Sequence, residues 1–199
     1  FTRQGVERIQ RFAFEIARSR PRKLLTLVTK SNAQRHGMVM WDEIFEEISQ
    51  DYRDITTDKM LVDAMTTRMV LDPQSIDTVV ASNLHADILT DLAASLSGSM
   101  GIAPTGNLDP EKRHPSMFEP IHGSAFDIMG LGIANPIGSY WSAVMMLENL
   151  GELKASQRLM SAIEKLTSDK KVLPKDLGGK SSTKEVTKAM INILLGKNK

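Results

Sequence analysis

The chain has 199 residues, of which 41% are hydrophobic and 25% are charged, a composition typical of a globular protein with one or two domains. Lys and Arg number 25 and Asp and Glu number 24, so the net charge of +1 gives no reason to expect a nucleic acid or an anionic membrane as partner. The absence of Cys excludes disulfides and thiolate metal sites and favours a cytoplasmic protein.

The first half of the chain predicts helices that alternate with strands. Apolar residues recur every three or four positions in the helical segments, whereas short runs of Leu, Val and Thr mark the strands. Helices are predicted at residues 2–18, 38–48 and 59–71 and from residue 85 onward, and strands at residues 23–28, 54–57 and 77–81. This alternation indicates an α/β layered fold.

The second half begins with a region rich in Gly, Pro, Ser and Asn, at residues 97–120. These turn-forming residues are spaced too closely for long elements, so we expect a loop region at a crossover between domains. A long apolar helix is predicted to start at Asn135-Pro136, and two amphipathic helices are predicted at residues 157–167 and 183–195. The chain is therefore expected to divide into residues 1–98 and 99–199.

Asp87 and Asp91 lie on the helix that follows the strand predicted at residues 77–81. Because they are four residues apart, both side chains project from one helix face, where like charges repel each other. A hard divalent cation such as Mg²⁺ or Mn²⁺ would offset this repulsion, since it prefers carboxylate oxygens and keeps positions open for substrate. From the spacing alone, the alternative is a pair of solvated acids on an exposed helix face.

Five motifs follow one another along the chain. They are Val28-Thr29-Lys30-Ser31-Asn32, Leu61-Val62-Asp63-Ala64-Met65, Ser82-Asn83-Leu84 with Asp87-Ile88-Leu89-Thr90-Asp91, residues 118–125, and Ile133-Ala134-Asn135-Pro136. Together they resemble the β-decarboxylating dehydrogenases, which include isopropylmalate, isocitrate, homoisocitrate, tartrate and D-malate dehydrogenases. The amino-acid sequence as a whole is most similar to the tartrate and D-malate branch. The resemblance implies an α/β fold of the isopropylmalate dehydrogenase type, a layered αβα arrangement with a mixed sheet, incomplete at its N-terminal side.

The resemblance assigns the metal to Asp87 and Asp91, with Asp63 added from the neighbouring subunit of a homodimer with shared active sites. Lys30 is similar to the family's active-site lysine, which assists removal of the proton from the substrate hydroxyl and is also contributed across the dimer. A lysine can do this only where burial or nearby positive charge favours its neutral form. The resemblance therefore implies Mg²⁺ or Mn²⁺ as the bound metal ion, with K⁺ as a further candidate ion. Without the resemblance, Lys30 would be a solvated residue at the end of a strand.

No Gly-x-Gly-x-x-Gly follows a predicted strand, so the usual dinucleotide fingerprint is absent. The resembling family instead holds the adenosine half of NAD in the segment that corresponds to residues 119–127 and near Asn135. The implied cofactor-binding residues are Asn83, Glu119, His122, Gly123, Ser124, Ala125, Asp127 and Asn135. Asp127 followed by Ile128 favours NAD, since a carboxylate would repel the 2′-phosphate of NADP. Without the resemblance, the segment at residues 122–124 would be a plain surface turn.

The chain departs from the family pattern at Phe126, where Pro is common, and at Ala86, where Gly often precedes the first metal ligand. The family's substrate-binding arginines and its proton-donating tyrosine have no counterpart after Phe1, so we expect the chain to begin within a larger protein. We expect a part of an enzyme for metal-dependent, NAD-linked oxidation and decarboxylation of a small-molecule 2-hydroxy dicarboxylic acid. Residues 1–98 would belong to the central dimer-forming domain and residues 99–199 to the cofactor domain. The alternative is an inactive truncated chain that dimerises or binds another protein.

Overall fold

The computed structural model describes residues 1–197. They form two compact units, the first at Phe1–Ala93 and the second from Ala94 onward, and each unit has a hydrophobic core of its own. No helix within residues 1–197 is long and apolar enough to cross a membrane.

The first unit alternates helices with the strands of one parallel sheet. Its elements are α1 (Arg3–Ser19), β1 (Leu24–Thr29), α2 (Gly37–Ser49), β2 (Thr56–Leu61), α3 (Val62–Leu71), β3 (Thr78–Val80) and residues 83–93 of α4 (Asn83–Leu96). β1 lies between β2 and β3, and both neighbours run parallel to it. Because Thr29 pairs with Leu61, the carboxyl ends of β1 and β2 meet at one edge of the sheet.

Helices cover both faces of this sheet. Leu25 and Leu27 of β1 are fully buried and pack in one core with residues of α1 and α2. Val28 points to the opposite face, because side chains alternate along a strand, and it packs with Met65 of α3 and Leu89 of α4. The αβα layering predicted for this part of the chain is confirmed.

β2 lies further along the chain than the sequence predicts. The sequence predicts a strand at residues 54–57 and a helix from residue 59, but all six residues of β2 pair with β1. The inter-strand hydrogen bonds outweigh the helix propensity of the Lys-Met-Leu run at residues 59–61. α3 consequently begins at Val62, and Asp63 lies in its first turn, where the backbone N–H dipoles favour a carboxylate.

The second unit joins a small antiparallel sheet to three helices. Its elements are β4 (Pro104–Asn107), β5 (Met117–Pro120), α5 (Ile137–Asn149), α6 (Leu153–Asp169) and α7 (Thr183–Leu194). Ile137, Ile163 and Val186 contribute one buried residue from each helix to a common core. β4 and β5 pair within the region predicted as loop, and so parallel and antiparallel pairing occur in separate sheets.

Candidate functional site

Lys30 and Asp63 meet at the carboxyl edge of the parallel sheet. Lys30 directly follows β1, and Asp63 is the second residue of α3, which directly follows β2. The Nζ atom of Lys30 donates a hydrogen bond to Oδ1 of Asp63, with the Lys30 side chain 26% exposed and that of Asp63 66% exposed. The hydrogen bond from Lys30 is the main cause that holds the pKa of Asp63 below its usual range. The fold thus brings together two residues from separate sequence motifs.

The residue after Lys30 is anchored to two neighbouring elements. Oγ of Ser31 donates to Oδ2 of Asp42 in α2 at 2.8 Å, and Nζ of Lys59 in β2 lies 3.4 Å from the same oxygen. The Asp42 side chain is only 14% exposed, so this carboxylate is held within the structure. These contacts restrict the end of β1 and therefore the position from which Lys30 extends.

The start of α4 is set by Ser82, whose Oγ accepts a hydrogen bond from the backbone N–H of His85 at 3.4 Å. His85 is 5% exposed, and its Nδ1 has no hydrogen-bond partner within residues 1–197. Burial is the main cause that lowers the pKa of His85, and the positive charge of Lys30 lowers it further. Both effects favour the neutral form of the His85 ring.

Asp87 and Asp91 are both exposed on α4, one helical turn apart. In the part of the chain that the structure describes, no group of three or more His, Cys, Asp or Glu side chains could hold a metal ion. Asp63 therefore does not join the other two carboxylates within one chain. Two carboxylates on one helix face nevertheless fit Mg²⁺ or Mn²⁺, which binds through one or two such groups and leaves its other positions to water and substrate.

The second unit contains a cavity of about 1030 Å³. Its wall includes four consecutive predicted cofactor residues, His122, Gly123, Ser124 and Ala125, and a fifth, Asn135. Ligand pockets in proteins typically measure roughly 300–1,000 Å³, so the adenosine half of a dinucleotide would fit this volume. The predicted cofactor segment therefore lines this cavity, and all four of its residues from His122 to Ala125 are exposed.

The other three predicted cofactor residues lie elsewhere. Ala125 adopts a left-handed conformation (φ 44°, ψ 58°) and leads into a short 3₁₀ turn in which Ile128 contributes to the cavity wall. Asp127, in the same turn, is exposed and is not part of the wall. Glu119 is an exposed residue of β5, also outside the wall, and Asn83 is the exposed first residue of α4 in the first unit.

The cavity wall also contains side chains that the sequence motifs do not identify. Asp176 is one of them, and its Oδ2 accepts hydrogen bonds from Oγ of Ser99 and from Nδ2 of Asn135. Lys175 brings a positive charge to the same wall. Ser99 and Asp176 lie far apart in the sequence, and no local pattern marks them or Lys175, so only the tertiary structure could reveal them.

Comparisons with known proteins agree on one family. The family model for isocitrate/isopropylmalate dehydrogenase matches residues 1–191. The chain is 64% identical over 198 residues to a probable tartrate dehydrogenase/decarboxylase of Agrobacterium vitis, covering 100% of this chain and 55% of that relative. It is 46% identical to the decarboxylating D-malate dehydrogenase of Escherichia coli strain K12, covering 98% of this chain and 55% of that relative.

A solved isocitrate dehydrogenase from Methylococcus capsulatus has a similar fold. Its TM-score is 0.92 at 39% sequence identity, and the match covers 97% of this chain and 57% of that chain. The chain therefore spans about half the length of the relatives that it matches. All of these relatives are named as dehydrogenases, which gives no support to the alternative of an inactive protein-binding chain.

Proposed function

The chain belongs to the isocitrate/isopropylmalate dehydrogenase family, and on this premise we propose that it takes part in metal-dependent, NAD-linked oxidation and decarboxylation of a 2-hydroxy dicarboxylic acid. The observation that carries the proposal is the cavity walled by His122–Ala125 and Asn135, which fits the adenosine half of the cofactor. The names of the relatives suggest a substrate of the tartrate or D-malate type, and the description of the family adds 3-isopropylmalate as a related case.

The second unit would bind the nucleotide. When bound, NAD⁺ would accept the hydride from C2 of the substrate. The cavity wall would hold the adenosine half, and Asp127, one residue before the wall residue Ile128, would supply the negative charge that disfavours a 2′-phosphate. Lys175 lies on the wall, and its positive charge would attract a 2′-phosphate. The preference for NAD over NADP therefore depends on Asp127 facing the ribose.

Lys30 would remove the proton from the substrate hydroxyl. In the ion pair with Asp63 its ammonium group has no lone pair to offer, and it can accept a proton only as the neutral amine. A change that engages the Asp63 carboxylate elsewhere would release Lys30 from the pair, and transfer of the ammonium proton to solvent would then give the neutral amine that takes the hydroxyl proton. The hydrogen bond from Ser31 to Asp42 limits the movement of this strand end. Lys30 would therefore keep its orientation when its ion pair with Asp63 is broken.

Asp87 and Asp91 would hold the divalent cation, with Asp63 from the partner subunit as a third carboxylate. The bound ion would act as a Lewis acid on the hydroxyl and oxo oxygens of the substrate. The exposed positions of all three carboxylates fit an open site that substrate can enter. Their oxygen donors also suit Mg²⁺ or Mn²⁺ better than a softer metal.

A homodimer with shared active sites follows from the same residues. Asp63 pairs with Lys30 and is not grouped with Asp87 and Asp91 within the described part of one chain, so a second copy would have to bring the two sets together. α4 also exposes two large apolar side chains beside the carboxylates, Leu84 at 64% and Ile88 at 53%. Apolar residues next to a functional helix face indicate a surface that a partner covers.

The proposal is tested by measuring NADH formation by the complete gene product. Tartrate, D-malate and 3-isopropylmalate are offered as substrates, with L-malate as the stereochemical control, in the presence of Mn²⁺ or after chelation with EDTA. We expect NADH from at least one of the first three substrates, and only when metal is present. A protein that binds the nucleotide but forms no NADH with any of them would contradict the proposal.

A further inference from the structure

Three segments of the second unit meet at one carboxylate on the cavity wall. Oδ2 of Asp176 accepts a hydrogen bond from Oγ of Ser99 and another from Nδ2 of Asn135, the second at 2.8 Å. Oγ of Ser99 in turn accepts from the backbone N–H of Gly101 at 2.9 Å. Oδ1 of Asn135 accepts from the backbone N–H of Ile137, the first residue of α5, also at 2.9 Å. Both ends of the Asn135 amide are therefore committed to this network.

Gly101 allows the network to be compact. A Cβ atom on this residue would lie 2.6 Å from Oδ2 of Asp176 and 3.0 Å from Cβ of Asn135. Both distances are shorter than an ordinary van der Waals contact, so any side chain here would push the carboxylate away from its donors. Gly101, Asn135, Ser99 and Asp176 all line the cavity, and a disturbance at this point would change the cavity itself.

We propose that Asp176 is a positioning residue for nucleotide binding, which holds Ser99 and Asn135 so that the cavity keeps the shape required by the adenosine half of NAD. This inference rests on the proposed function of the same cavity. A carboxylate suits the task because it is an acceptor only, and one of its oxygens can accept from two donors at once.

Loss of this acceptor would act on affinity rather than on chemistry. The hydroxyl of Ser99 and the amide of Asn135 would lose their common partner; each would keep one bond from a backbone N–H but would gain rotational freedom. Nucleotide binding would then have to order both side chains, which weakens affinity. Lys30 and Asp87 belong to the first unit and keep their own contacts, so turnover at saturating NAD should be preserved.

The test compares three variants of the complete gene product: Asp176→Leu, Asp176→Asn and the control Asp169→Leu. Asp169 is an exposed acid at the end of α6 and is not part of the cavity wall. Dissociation constants for AMP and NAD are measured by calorimetry, together with KM for the hydroxy acid and kcat. We expect Asp176→Leu to raise both dissociation constants by about tenfold or more, with kcat and the KM for the hydroxy acid unchanged.

The conservative variant separates positioning from charge. The carboxamide oxygen of Asp176→Asn can accept both hydrogen bonds, so we expect its affinity for AMP to stay within about twofold of the unmodified protein, as for Asp169→Leu. An Asp176→Leu variant that binds AMP as tightly as the unmodified protein would overturn the inference. So would an Asp176→Asn variant as weak as Asp176→Leu, because the negative charge would then be the essential feature.

A milder variant covers the case in which Asp176→Leu does not fold. Ser99→Ala removes one of the two donors and should weaken AMP binding by about threefold, while circular dichroism shows a folded protein. Unchanged AMP binding by folded Ser99→Ala would refute the role of the network. If the unmodified protein itself bound neither AMP nor NAD, the proposed function of the cavity would be wrong, and that result is distinct from those above.

Discussion

The proposed sharing of active sites can be tested by mixing two inactive variants, Lys30→Ala and Asp87→Asn. Lys30 contacts Asp63 within one chain, and Asp63 is not grouped with Asp87 and Asp91 in that chain. If one subunit supplies Lys30 and Asp63 and the other supplies Asp87 and Asp91, each heterodimer has one site with both lesions and one intact site. With random exchange, about half of the dimers are heterodimers, so the mixture should recover about one quarter of normal activity.

A control mixture distinguishes active sites shared between subunits from active sites formed within one chain. A chain with both substitutions is mixed with unmodified chain, and NADH formation is measured after exchange. With shared sites, both sites of each heterodimer are broken, and about one quarter of the activity remains from unmodified homodimers. If Lys30 served the same site as its own Asp87, the control would keep about one half and the first mixture would stay inactive. These two results, obtained while mass spectrometry shows that subunits exchange, would refute the sharing of active sites.

Three further predictions concern single positions. Asp87→Asn should reduce Mn²⁺-dependent turnover by about a hundredfold or more, because an essential metal ligand is lost. Urea denaturation should show unchanged or slightly higher stability, because the repulsion between two like charges is removed. The double substitution Asp127→Lys and Ile128→Tyr should abolish the preference for NAD in kcat/KM, which parallel titrations with NAD and NADP would measure. Equal use of NAD and NADP by the unmodified enzyme would contradict this prediction. Arg18 lowers the pKa of Asp54 to about 2, so Asp54 stabilises the fold above pH ~4 and this contribution is lost as the pH falls towards 2. Urea midpoints across this range should therefore decline less steeply for Asp54→Asn than for the unmodified protein.

Much of the first unit could be predicted because its patterns are local. β1 is buried along nearly its whole length, so its apolar run stands out in the sequence. β2 is different, because Thr56, Thr57 and Lys59 are exposed and its residues show no apolar alternation. Its strand conformation depends on pairing with β1, a contact that its own sequence does not encode. The hairpin of β4 and β5 was missed for a similar reason, since each strand has four residues and contains Pro.

The candidate site shows the same division between local and tertiary information. The motif around Lys30 and that around Asp63 identified two residues that the fold brings into contact. The segment from His122 to Ala125, which the sequence predicts to bind the cofactor, lines a cavity. Ser99 and Asp176 belong to no motif, and their side chains meet across 77 positions of sequence, so no local pattern could connect them.

The most direct test of the proposed function measures NADH and CO₂ together. The complete gene product is supplied with NAD, Mn²⁺ and the best substrate from the panel, labelled with ¹³C in the carboxylate that is lost. Oxidation followed by decarboxylation predicts equal amounts of NADH and labelled CO₂, with neither product formed after EDTA treatment. NADH without labelled CO₂, or both products at an undiminished rate after removal of the metal, would contradict the account.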